Sequence, residues 1–221
     1  MRAVTVFVAV ALTVLAGATA EVRAQSTTSP AEEAIPDIRA LSKDITDQGG
    51  RLRDDAAAAL KKADELEGKM QESQKNFDLE VAKKNTNEMI ANLRSARDRL
   101  SPEQTYRKAL GKAESTIRDL ASRAEANLDA KIREMKGYYA QTLAELMELQ
   151  RAAEETRNQL TVEIDRFEKL SDRMAFTRTI AGIEAFMQHA RAYLESMRSL
   201  GARMRGVGNT LENFGQNPPT D

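Results

Sequence analysis

Ser101-Pro102-Glu103-Gln104 stands near the middle of a chain of 221 residues whose remainder reads almost entirely as helix. A serine side chain can accept from the free N–H groups at a helix start. A proline at the first helical position has no N–H to leave unpaired. Gln104 falls three residues after Ser101 and completes a capping box. The four residues predict that one helix ends near Leu100 and another begins at Pro102. A connection this short ordinarily joins antiparallel neighbours, so the chain is expected to reverse here.

Before this signal, an apolar stripe with three-four spacing starts after Asp37. Ile38, Leu41, Ile45 and Leu52 open it, and Ala56, Ala59, Ala63, Leu66, Met70, Phe77 and Val81 continue it. Met89, Leu93, Ala96 and Leu100 complete it. Gly49-Gly50 interrupts the stripe, but the register resumes at Leu52 without an offset, which favours a kink over a loop. Asp37–Leu100 is thus expected to form one helix, roughly 95 Å long at 1.5 Å per residue.

After the signal, Tyr106, Leu110, Ala113, Ile117, Leu120, Ala124, Leu128, Ile132, Met135 and Tyr139 mark a second stripe. It runs on through Leu143, Leu146, Ala153, Leu160, Ile164, Phe167 and Met174, with Gln150 and Arg157 inside it. Polar residues in a seam ordinarily fix register. A third helix is expected to start near Thr177 or Thr179, either of which can cap it. Its heptads are regular. Ile180, Met187, Leu194, Gly201 and Gly208 take one seam position, and Ile183, Ala190, Met197, Met204 and Leu211 take the other. Phe186, Tyr193, Leu200 and Val207 add a third apolar position per heptad, too wide for a two-stranded seam. This helix should pack on two partners at once, with Gly201 and Gly208 admitting a neighbouring backbone.

The expected architecture is all-α. A long antiparallel helical hairpin, a coiled coil, would carry a shorter third helix that makes a three-helix bundle at one end. Residues 37–213 would form a single elongated domain, after a flexible lead-in at 25–36 and before a disordered tail at 214–221.

The first 24 residues read as an address. Arg2 precedes an apolar run from Ala3 to Leu15, Gly17 breaks it, and small-residue cleavage sites follow at Ala20 and Ala24. That order of parts is a secretory signal peptide. Cleavage after Ala24 leaves 31 basic and 33 acidic side chains. No Asn-x-Ser/Thr acceptor occurs, which favours a bacterial periplasm over a eukaryotic secretory route. An uncleaved segment would instead anchor a coiled coil in a membrane.

Composition narrows the function. There is no Cys and one His, which excludes disulfides, thiolate sites and multi-His metal sites. His189 lacks the Glu three residues before it that a di-iron motif needs, and it reads as a solvated helix residue. Acids and bases, 34 and 33, interleave along helix faces as solvated decoration. No catalytic motif, cofactor loop or metal-ligand spacing is present, so no enzyme, cofactor or metal is expected. Balanced charge gives no pull toward nucleic acid.

The third helix carries the one candidate interaction face. Arg191, Arg198 and Arg205 recur every seven residues beside the apolar stripe, with Arg203 nearby and Phe186 and Tyr193 among the apolar residues. Such a basic amphipathic helix can lie on an anionic membrane. The alternative is that the arginine stems flank a bundle seam and pair with acids on the other helices. The expected function is therefore an exported structural or interaction protein. It would serve other proteins as adaptor, spacer or holdase, with a second copy of itself as a further candidate partner. Peripheral membrane binding through the third helix is the alternative.

Overall fold

The computed structural model describes residues 30–126, 130–177 and 183–216, and the side chains of 37–122, 136–173 and 183–213. The signal-peptide segment, Thr179, Ile180 and the side chains of Ala124, Leu128, Ile132, Met135 and Met174 lie outside these. The described elements are all helices: α1 (Pro30–Lys75), α2 (Leu79–Arg99), α3 (Thr105–Ala126), α4 (Ala130–Thr177) and α5 (Ile183–Gln216). Helix α1 starts inside the stretch read as a lead-in, with Pro30 at its first position, where the missing N–H is harmless. It runs unbroken through Gly49-Gly50.

The reversal expected at Ser101 lies 25 residues earlier, at Asn76-Phe77-Asp78. Antiparallel pairing of α1 with α2 follows from Lys62 with Glu88 (3.3 Å), Asn92 with the Ala59 carbonyl (2.9 Å) and Arg99 with Asp55 (3.5 Å). The break after Leu100 does not reverse the chain. Helix α2 meets α4 antiparallel, through Asn87 with Ser171 (2.9 Å) and Arg94 with Glu168 (2.5 Å). Helix α3 meets the same α4 antiparallel, through Arg107 with the Gln150 carbonyl (2.7 Å). So α2 and α3 point the same way and form one interrupted column. The capping box does not form either. Ser101 gives its hydroxyl to Glu103 (2.6 Å), which holds that carboxyl below its usual range, and α3 starts only at Thr105.

Helix α5 returns antiparallel to both α1 and α4. Ser42 donates to the Gly208 carbonyl (2.8 Å), and Tyr138 donates to the Thr210 carbonyl (3.0 Å). Helix–helix contacts run from α1 to α2 and α3, from these to α4, from α4 to α5, and from α5 back to α1. This is an up-down-up-down four-column bundle, in place of the expected hairpin with a three-helix base. Splitting the first long helix at Phe77 supplies the extra column. At 46 and 48 residues, α1 and α4 make it about 70 Å long.

The apolar stripes fill the interior. Ile38, Ile45, Leu66, Met70, Met89, Leu93, Ile117, Leu146, Phe167 and Leu194 are among the fully buried residues. The closest pairing is α1 with α5. A Cβ on Gly201 would lie 2.6 Å from the Arg53 nitrogen and from the Gly49 oxygen. Ser42, Gly49, Ala56 and Ala63 put a small residue every seven positions along α1. Backbone therefore packs on backbone, as the glycines of the third helix led one to expect.

Candidate functional site

The arginines of α5 lie along the bundle edge, and one of them pairs across to α1. Arg191 pairs with Asp64 (2.7 Å) and with Glu67, both on α1. Arg198 pairs with Glu195 of its own helix (3.2 Å). Arg203 is exposed and Arg205 half-buried. Phe186 packs on Phe167 of α4, ring centroids 5.6 Å apart, and Tyr193 is half-buried against the core. Arg191 and Arg198 line one open groove together with Asp64 and Glu195, the acids they pair with, and the two aromatics pack on the bundle. Pairing of Arg191 with acids of α1 matches the bundle-seam alternative for that residue.

The polar positions of the α4 stripe tie it to α3. Gln150 donates to Glu114 (2.7 Å) while its carbonyl accepts from Arg107. Arg107 also approaches Glu154 (3.6 Å), which bonds Arg157 (3.3 Å). The Tyr106 hydroxyl is buried without a partner, and burial pushes its pKa up. This network fixes which turn of α4 faces which turn of α3. On the other side of the break, a groove of about 310 Å³ is lined by Gln48, Arg51, Asp54, Asp55, Arg99 and Tyr106. Of its charged walls, Arg99 pairs with Asp55 (3.5 Å) and Asp54 with the neighbouring Arg53 (2.9 Å). Among the described residues no three Asp, Glu or His side chains gather as a metal site, and no helix is long and apolar enough to cross a membrane.

The distinctive site is the turn between α1 and α2, which the stripe reading passed over. The Phe77 N–H bonds the Gln74 carbonyl (3.3 Å) and the Asp78 N–H bonds the Ser73 carbonyl (2.9 Å). These two bonds are the Schellman closure of a helix, in which the residue at the turn takes a left-handed conformation and is usually glycine. Here it is Phe77, with φ at +54°. Asp78 then caps α2, its carboxylate accepting from the Val81 N–H (3.1 Å). The Phe77 side chain is 88% exposed and Val81, one turn into α2, is 43% exposed.

A left-handed non-glycine residue costs about 1–2 kcal/mol. Exposing an aromatic ring forgoes about 1.5–3 kcal/mol of burial. Phe77 carries both costs at the end of the bundle. The sequence signal was available in Asn76 and in Asp78, a good N-cap three residues before Val81. The chain matches no protein-family model, no curated protein and no solved structure.

Proposed function

We propose that this chain is an exported structural protein, an adaptor or spacer with no chemistry of its own, that presents one end of a helical rod to a protein partner. The observation that carries this reading is Phe77, an exposed ring held in an unfavourable backbone conformation at the rod's tip. A strained residue at an exposed turn is where function tends to sit. An aromatic side chain is the commonest anchor at a protein interface. The rest of the rod supports a spacer: its apolar stripes are spent inside, and its charges pair along its flanks. A general holdase would need more free apolar surface than the described residues expose, chiefly Phe77, Val81, Met147 and Val162. Export rests on the Arg2-to-Ala24 segment and places the protein in a periplasm or outside the cell.

The test is a photo-crosslinking residue at position 77, irradiated in the native envelope. A discrete protein adduct is expected from position 77, and none from the exposed flank position Lys61. Mass spectrometry of the same protein should find a mature N-terminus at Glu21 or Gln25. Absence of a site-specific adduct would remove the adaptor reading. An intact Met1 in the membrane fraction would turn the rod into an anchored one.

A further inference from the structure

Glu163 is the one charged side chain, among the described residues, that is fully buried, with no solvent exposure. It lies on α4 and faces α5. Its Oε2 accepts from Arg166 (3.1 Å) and lies 3.8 Å from His189 Nδ1 on α5. Its Oε1 is buried with no hydrogen-bond partner. Arg166 in turn sits 3.5 Å from His189 Nδ1. The other elements against α4 bring charges that are engaged elsewhere: Arg94 of α2 with Glu168, and Arg107 of α3 with Glu154.

We propose that the α4–α5 contact is a pH-responsive latch, closed when Glu163 is neutral and loosened when it is ionised. A buried carboxylate with one bare oxygen is poorly compensated, because an unpaired buried acceptor carries its whole desolvation cost. A proton on Oε1 removes the charge and leaves Oε2 free to keep the Arg166 bond. Burial accordingly pushes the Glu163 pKa up, against the opposing pull of Arg166 and His189. A raised folded-state pKa means that this contribution to stability is present in acid. It is lost as pH rises through that pKa.

The geometry says which parts would separate. Helix α5 stays on α1 through the glycine seam and Arg191. Loosening α4 would uncover the ring of Phe186, which the closed bundle keeps against Phe167. The latch thus governs access to the apolar face of α5, and it stands independently of the Phe77 reading.

The experiment compares the purified full chain with Glu163→Gln from pH 4 to pH 8. The glutamine mimics the neutral carboxyl at every pH. The two proteins should melt together near pH 4. By pH 8 the variant should melt higher, by more than the scatter between repeat melts. At pH 8, deuterium uptake in 158–170 and 183–193 should be slower in the variant than in the parent. A parent that melts at or above the variant at pH 8 overturns the latch. So does a gap that is the same at all pH values, or an uptake difference absent from these two segments.

Discussion

Phe77 closes α1 in a conformation that glycine adopts freely and phenylalanine does not. Its ring returns almost nothing to the folded state, being 88% exposed. Phe77→Gly should therefore raise stability by about 1 kcal/mol in denaturant melts, while abolishing any contact made by the ring. A loss of stability instead would mean that the ring packs on the tip. Neither property of the residue was legible in the stripe. Phe77 lies seven residues after Met70 and four before Val81, so its spacing fits a continuous helix. Periodicity records which faces are apolar. It does not record whether the chain between two apolar residues has turned round. His189 is exposed on its helix, as the sequence reading had it. What spacing along one helix does not show is the carboxylate 3.8 Å from it, Glu163, which comes from another helix.

Helix α5 was the most legible element and α2 the least. Three apolar positions per heptad announced a helix with two neighbours, and α5 packs on both α1 and α4. The two glycines announced a close approach, and Gly201 meets backbone on α1. Gly201→Ala should cost about 1–3 kcal/mol or more, since its methyl would push on Arg53 and Gly49 backbone that no side-chain rotation can relieve. Gly206→Ala, with open space around it, should gain up to about 1 kcal/mol. Equal melting temperatures for the two variants would contradict the tight seam. By contrast, Pro102 marked a real break but not its sense. A capping box says that a helix can start. The direction of the new helix is decided by which apolar faces it must share, and α2 and α3 share α4.

The whole bundle is a rod in which each column touches two others and its apolar interior runs along its length. Leu194, fully buried on α5, is a good probe of whether that helix is a structural column or a detachable membrane foot. Leu194→Ala should cost about 2–5 kcal/mol of global stability, with or without lipid. An unchanged melt together with lost binding to anionic vesicles would instead favour the peripheral membrane reading. The pairing of α1 with α5 has one more consequence, for the order in which the rod can assemble. Among the described helices, the closest partner of the first, α1, is the last, α5. A ribosome delivers the N-terminal end first, so α1 waits for its mate until α2, α3 and α4 have emerged. The seam thus keeps the bundle open while its middle helices are being made, and its closure comes after theirs.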